Sequence, residues 1–243
     1  MCRMFMLNGD FSENFHEIFK VSKSISCSDP LHITSDSLPK DHKDGWGFVN
    51  LTSDHIAHFR TSDPLCDSSE PQVNNGHLIF HMRNAAPNEP MGIHNSHPFH
   101  ISTEEGDFYL AHNGWFDKEK IANFIGLKGY ASENDSLIFL RFLASRHGDL
   151  QHKIRESIDI SLKMGFIKST ANLMILFVDK KGKPSMFSIT EASPTSNYGK
   201  YQELYRLENE KWTGIFSSSF MEFSEIEKLG KISKLERGLI YEI

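Results

Sequence analysis

The chain opens Met1-Cys2-Arg3-Met4-Phe5-Met6-Leu7, an apolar run closed by Asn8-Gly9-Asp10. A short apolar run that ends in a turn signal predicts a buried strand over residues 2–8. What sets this strand apart is that it starts with a thiol. Initiator methionine is normally removed when the next side chain is small, and Cys2 would then carry a thiol and a free α-amine on one residue. Free α-amines titrate near ~7.7–8.0 and thiols near ~8.5, so at neutral pH such a pair is a nucleophile with its own base. The plainer alternative makes Cys2 a small residue packed on a terminal strand. The remainder of the chain has to decide between them.

At 243 residues and 27.8 kDa the chain is long enough to bury one sizeable core, and a single domain over residues 1–243 is expected. Hydrophobic residues make up 39% and charged residues 24%, a balance that excludes a disordered chain. Nineteen phenylalanines are the one oddity. A formal charge of −6, with no segment that gathers Lys and Arg without interleaved acids, excludes a nucleic-acid footprint. No apolar run approaches the ~20 residues that span a bilayer, and the amino terminus lacks a basic region, a long apolar stretch and a small-residue cleavage site. A cytoplasmic protein with no membrane partner is the expectation. Cys2, Cys27 and Cys66 are odd in number and have no paired spacing, which predicts neither a disulfide framework nor a zinc ribbon and fits a reducing compartment.

Beyond the first strand, Phe11, Phe15, Ile18 and Phe19 recur at helical spacing, and residues 22–44 read as a surface loop. Asp44-Gly45-Trp46-Gly47 leads into a strand paired with 55–60, its two glycines suggesting close backbone approach. After a polar loop over 61–76, a strand over 77–83 runs into Asn84-Ala85-Ala86-Pro87, and another over 107–112 ends at Asn113-Gly114, a tight-turn signal. Helices are predicted over 117–127, 133–147 and 149–165, then strands over 171–178, 184–189, 201–207, 211–216 and 238–243. Strands at both ends with helices between them predict a layered α+β architecture.

Several positions invite chemistry. His94, His97 and His100 at three-residue spacing suggest a metal site, but Pro98 interrupts any helix there, and His77 and His81 on a strand lie ~13 Å apart. No metal is expected. Asn113-Gly114 is a common hairpin turn; read functionally, a side-chain amide beside a glycine N–H forms an oxyanion hole. Arg83 is either a solvated strand end or a guanidinium fork for a carboxylate. Asp135 either caps a helix or holds an ammonium. Together with Cys2 these types complement one another. They describe a site that grips an amino acid by its α-carboxylate and α-amine and attacks its side-chain carbonyl, with glutamine or a γ-glutamyl compound as substrate.

The ordered set Met1-Cys2-Arg3, Asp44-Gly45-Trp46-Gly47, His81-Met82-Arg83-Asn84-Ala85, Asn95-Ser96-His97-Pro98-Phe99, His112-Asn113-Gly114 and Asn134-Asp135-Ser136 resembles the class II, N-terminal-nucleophile (Ntn-hydrolase) glutamine amidotransferase domain. The Cys-Arg opening and His-Pro-Phe are most similar to its stand-alone members, some of which hydrolyse γ-glutamyl amides. The resemblance implies a four-layer αββα sandwich of the Ntn-hydrolase type. It makes Cys2 the nucleophile with its α-amine as base and assigns Asn113 and Gly114 to the oxyanion. Arg83 would hold the substrate carboxylate, Asp135 its amine, and His97 would shape the pocket. No cofactor is implied. Ala86 departs from the family's hydroxyl residue, Pro87-Asn88 from a residue followed by Gly, and Leu137 from an acidic residue.

The expected reaction is attack of Cys2 on a γ-carboxamide, giving a γ-glutamyl thioester that water hydrolyses. The chain offers no obvious room for a synthase domain, so released ammonia would be lost or passed to a separate synthase subunit; an oligomer is compatible with either. The alternative is a non-catalytic module that keeps the fold to bind a γ-glutamyl metabolite or a partner, motivated by the departures at Ala86 and Leu137.

Overall fold

A computed structural model describes residues 1–32, 41–86 and 89–243. In chain order the elements begin with β1 (Arg3–Gly9), α1 (Ser12–Cys27), β2 (Trp46–Leu51), β3 (Ile56–Thr61), β4 (Gly76–Met82), β5 (Phe99–Ser102) and β6 (Gly106–Phe116). Three helices follow, α2 (Lys118–Phe124), α3 (Asp135–Ala144) and α4 (Leu150–Lys163). The chain closes with β7 (Ile167–Asp179), β8 (Pro184–Ala192), β9 (Leu204–Glu208), β10 (Trp212–Ser217), α5 (Ser224–Glu227), β11 (Lys231–Lys234) and β12 (Ile240–Glu242). The class is α+β, as expected, and two units divide the chain: residues 1–98, 199–235 and 243, and residues 99–198 and 236–242.

The first unit is built on a seven-stranded antiparallel sheet in the order β11-β9-β10-β1-β4-β2-β3. Register places Phe5, Phe80, Phe48 and Phe59 in one row across β1, β4, β2 and β3, with Arg3, Met82, Trp46 and Thr61 in the next row on the same face. Helix α1 packs on that face through Phe15, Ile18, Phe19, Val21 and Ile25. Phe80 lies at the centre of the phenylalanine-rich core, stacked on Phe5 at 5.0 Å and Phe48 at 6.3 Å, with Phe19 edge-on at 6.3 Å. Such aromatic pairs add about 0.5–1.5 kcal/mol each beyond area burial.

The expected loop from residue 22 is overturned as far as Cys27, because α1 continues to that residue. The serines that read as loop signals are satisfied within the helix, Ser22 Oγ donating to Ile18 O at 2.7 Å and Ser24 Oγ to Lys20 O at 3.2 Å. Residues 33–40 of that predicted loop lie outside the described residues. The expectation of unpaired cysteines is also overturned. Cys27, the last residue of α1, and Cys66, in a 3-10 turn (Leu65–Asp67), form a disulfide with Cα atoms 5.6 Å apart. Their separation of 39 residues carries no spacing signal, since only the fold brings the helix end to that turn.

The second unit is a five-stranded antiparallel sheet in the order β12-β8-β7-β6-β5. Its core alternates from the strands: Phe108, Leu110, Leu173 and Ile175 meet α2, α3 and α4 on one face, with Phe116 stacked on Phe139 at 4.2 Å. Asn113, Asn172, Ala111 and Met174 belong to the opposite face. No hairpin turn occurs at Asn113-Gly114. Strand β6 continues to Phe116, pairing Asn113 with Asn172 and Gly114 with Ala171 before a bulge. An eleven-residue strand held by thirteen-residue β7 overrides the local turn propensity. Strands β5 and β11 had no signal in the sequence, both being short and partly exposed.

Candidate functional site

In the seven-stranded unit Cys2 stands one residue before β1, against the end of β4. Its Sγ accepts a hydrogen bond from Asn84 N at 3.5 Å and lies 3.6 Å from Asn84 O. The Met1 amino group donates to Asn84 Oδ1 at 3.1 Å, while Asn84 Nδ2 donates to Asp41 O at 2.5 Å. Asp44 Oδ2 accepts from Ala85 N at 2.7 Å and so fixes the same turn. Burial lowers the pKa of the amino terminus, which favours the neutral amine. Asn84 is therefore a neighbour of the Cys2 thiol and the amino terminus for which the sequence suggested no role beyond its motif, because an asparagine after a strand reads as a turn.

Arg83 is 3% exposed. Its backbone amide donates to Gly45 O at 2.8 Å, and its Nη2 donates to Pro90 O at 2.8 Å with Met91 Sδ 3.6 Å from Nη1. It is neither solvated nor idle: the loop that follows it holds its fork. Pro87 and Asn88, read as departures from the family pattern, lie outside the described residues.

The two glycines around Trp46 do admit close backbone approach. A Cβ on Gly45, which has φ +117°, would meet Ser96 Oγ at 2.7 Å, and one on Gly47 would press on the carbonyl oxygens of Phe59 and His97. Residues 96–98 lie in that space. Ser96 Oγ donates to Thr61 O at 2.9 Å, Arg60 Nη1 to Ser96 O at 3.2 Å and His58 Nε2 to Pro98 O at 2.9 Å. His97, buried at 4% exposure, is thereby set with its ring 4.2 Å from that of His81.

Beneath Cys2 lies a charge pair that the sequence did not single out. Arg3 and Asp29 are both fully buried, with Arg3 Nε donating to Asp29 Oδ2 at 2.8 Å. Asp29 also accepts from His42 Nε2 at 2.8 Å and Ser219 Oγ at 2.6 Å. Burial alone would raise the Asp29 pKa, but its hydrogen bond from His42 and the Arg3 charge overcome this and hold its carboxyl well below the usual range. Burial lowers the His42 pKa to about 4, so the imidazole is neutral near pH 7.

In the five-stranded unit Asn113 is 1% exposed, and neither Nδ2 nor Oδ1 of its carboxamide has a hydrogen-bond partner among the described residues. Buried amides are rarely left so. Gly114 follows with φ +151°, and a Cβ there would collide with the Thr170 carbonyl oxygen, so only glycine fits. His112, before them, is kept neutral by burial, its pKa lowered to about 3, and its Nδ1 lies 2.8 Å from Ser136 Oγ.

Asp135 is the first residue of α3, and the cap is instead Asn134, whose side chain accepts from Ser136 N. The Asp135 carboxylate accepts from Phe116 N at 2.7 Å and from Ser136 N at 2.8 Å, and burial raises its pKa. Oδ1 also accepts from Ser136 Oγ at 3.2 Å, while Oδ2 keeps a second lone pair for a further donor such as an ammonium. Leu137, where the family pattern has an acid, packs against the apolar core of the second unit.

Among the described residues no group of three His, Cys, Asp or Glu could hold a metal ion, and no helix is long and apolar enough to cross a membrane. A cavity of about 490 Å³ in the first unit is lined by Trp46, Phe48, Phe59 and the 61–71 loop, on the α1 face of the sheet, and contains none of the candidate residues.

No family model matches the sequence, and no curated protein matches it. Solved structures do. Glutamine phosphoribosylpyrophosphate (PRPP) amidotransferase from B. subtilis, complexed with ADP and GMP, is 13% identical with a TM-score of 0.69; the match covers 100% of this chain and 47% of that one. A protein from Pseudomonas aeruginosa predicted to be a glutamine amidotransferase is 17% identical with a TM-score of 0.47, over 100% of this chain and 93% of that one. The chain thus spans about half the length of the B. subtilis enzyme. The chain therefore shares its α+β fold with the amidotransferase from B. subtilis.

Proposed function

We propose that this chain is an amidohydrolase of the glutamine amidotransferase type, acting through Cys2 on the γ-carboxamide of glutamine or a γ-glutamyl amide. The supporting observation is Asn113, a buried carboxamide whose donor is unspent among the described residues. A desolvated, fixed N–H with no partner in the ground state is what a developing oxyanion requires. Gly114 supplies the second donor at a position closed to any side chain.

In this reading Met1 is removed, and the Cys2 α-amine takes the thiol proton through a water. The thiolate adds to the γ-carbonyl carbon, and the negative oxygen is held by Asn113 and Gly114. Collapse breaks the C–N bond, the ammonium returns its proton to the leaving nitrogen, and a γ-glutamyl thioester remains. Water, deprotonated by the amine, then releases glutamate and restores the thiol. Arg83 would hold the substrate carboxylate, Asp135 its amine, and His97 would line the pocket. No cofactor enters. Transfer of the ammonia to an acceptor would need a synthase site beyond these residues.

Mature protein assayed against glutamine, glutathione and a panel of γ-glutamyl amides, with thioester trapping, tests the reading. Turnover is expected, and Cys2→Ala should abolish it with the fold intact; hydrolysis undiminished in that variant refutes the role of Cys2. A second reading, a binding module without catalysis, is favoured by the hold of Pro90 O on the Arg83 fork. Intact mass separates the two, because retention of Met1 in the mature protein leaves Cys2 without a free amine.

A further inference from the structure

The buried pair beneath Cys2 does more than neutralise charge, because it immobilises one aromatic ring. The Arg3 guanidinium carbon lies 3.5 Å from the centroid of the Tyr201 ring, and Arg3 Nη1 donates to Tyr201 O at 3.0 Å. Ser218 Oγ donates to the same carbonyl at 3.1 Å. His32 also stacks with this ring, the centroids 5.4 Å apart, and His32 in turn stacks with His42 at 6.0 Å. Tyr201 is therefore held at its backbone by two donors and at its ring by a guanidinium and an imidazole. A ring so fixed places its hydroxyl at one point. That point is the amino terminus, where Tyr201 Oη donates to Met1 O at 3.3 Å.

The carbonyl oxygen of a residue and the nitrogen of the next lie about 2.3 Å apart across the peptide bond. Removal of Met1 deletes that carbonyl and leaves the Cys2 nitrogen as a free amine, beside a hydroxyl that has lost its acceptor. Asn84 Oδ1 already accepts from the amino terminus, while the thiol is held at the Asn84 backbone.

We propose that Tyr201 is a positioning residue for the amino-terminal base: in the mature protein its hydroxyl accepts a hydrogen bond from the Cys2 α-ammonium and, with Asn84, aims the amine at the thiol. This rests on the removal of Met1 proposed above. The protons balance. The ammonium formed when the thiol is deprotonated carries three, of which one points to Tyr201 Oη, one to Asn84 Oδ1, and the third faces the reaction and returns to the leaving nitrogen. Burial raises the Tyr201 pKa, so the hydroxyl remains neutral while the amine titrates. The charged groups acting on the amino terminus are Arg3, Asp29 and Asp44, with the thiol itself; His32 and His42 have pKa values lowered by burial.

The test is Tyr201→Phe, which keeps the ring stack and removes only the hydroxyl, read by the pH dependence of Cys2 alkylation with iodoacetamide in two forms of the protein, mature and Met1-bearing. Loss of a hydrogen bond to the charged amine should move the alkylation midpoint of the mature form upward by about one pH unit and leave the Met1-bearing form unchanged. Where a γ-glutamyl amide is turned over, kcat should fall about tenfold with KM within twofold. An unchanged midpoint in the mature form, or an equal shift in both forms, overturns the proposal. Alkylation needs no substrate, so failure to find a hydrolysed amide counts against the proposed function and leaves this test standing.

Discussion

Asp135 Oδ2 accepts the backbone amide of Phe116 at 2.7 Å, so the carboxylate that opens α3 is tied to the strand residue two places beyond Gly114. One hydrogen bond thereby links the group assigned to the substrate amine with the strand segment assigned to the oxyanion. Asp135→Asn keeps an acceptor for Phe116 N but loses the charge. KM for γ-glutamyl substrates should rise about tenfold or more, a loss consistent with a charged hydrogen bond, while the thermal midpoint changes little. Steady-state kinetics beside a melting curve checks this; an unchanged KM removes Asp135 from the substrate amine.

Asn113→Ala and Gly114→Ala should fail in different ways. The first removes an unspent donor and should lower kcat by about 10²–10³ with stability preserved. The second forces a Cβ onto the Thr170 carbonyl at φ +151° and should cost on the order of 3 kcal/mol of stability. Kinetics for the one and urea denaturation for the other distinguish a chemical role from a steric one.

Arg3→Met leaves the Asp29 carboxylate buried beside His42 and Ser219 without its counter-charge. Breaking a fully buried pair on one side costs about 3–5 kcal/mol, against 0–1 kcal/mol for surface pairs. Denaturant midpoints compared with a surface control such as Lys211→Met, whose partner Glu13 is exposed, should show that contrast.

Reduction of Cys27–Cys66, or Cys66→Ser, releases a closed loop between α1 and the 65–67 turn, separated by 39 residues. Loop-closure entropy predicts a loss of about 3–4 kcal/mol. The urea midpoint with and without dithiothreitol reads the difference, and the Cys66→Ser protein should be insensitive to the reductant.

His42 and His112 predict an acid-side loss of stability. Burial lowers both pKa values, to about 4 and about 3, from an ordinary 6.5. The unfolded chain therefore binds protons first as pH falls. The stability these neutral imidazoles contribute is full above pH 6.5 and is lost progressively down to about pH 4 for His42 and about pH 3 for His112. In His112→Gln the decline of the urea midpoint between pH 6.5 and 3 should be shallower; an unchanged decline would assign it to other groups.

The local pattern carried a good part of this protein. The apolar run behind Cys2, the Phe11–Phe19 helical spacing, the strands around Trp46 and Phe80 and the helices after residue 117 could be read because each buries one face, and burial imposes a period of two or 3.6 on the sequence. The glycines at 45 and 47 were legible as close approach because no other residue tolerates it. Tertiary structure alone decided the rest. Asn113-Gly114 reads as a hairpin turn but lies within β6, because pairing along β7 outweighs a two-residue propensity. Cys27 meets Cys66, Arg3 meets Asp29, and Tyr201 meets Met1 across 39, 26 and 200 positions, distances over which a sequence holds no periodicity to read. Residue types suggested a chemistry; which of them are buried, charged and pinned beside Cys2 was fixed only when the chain folded.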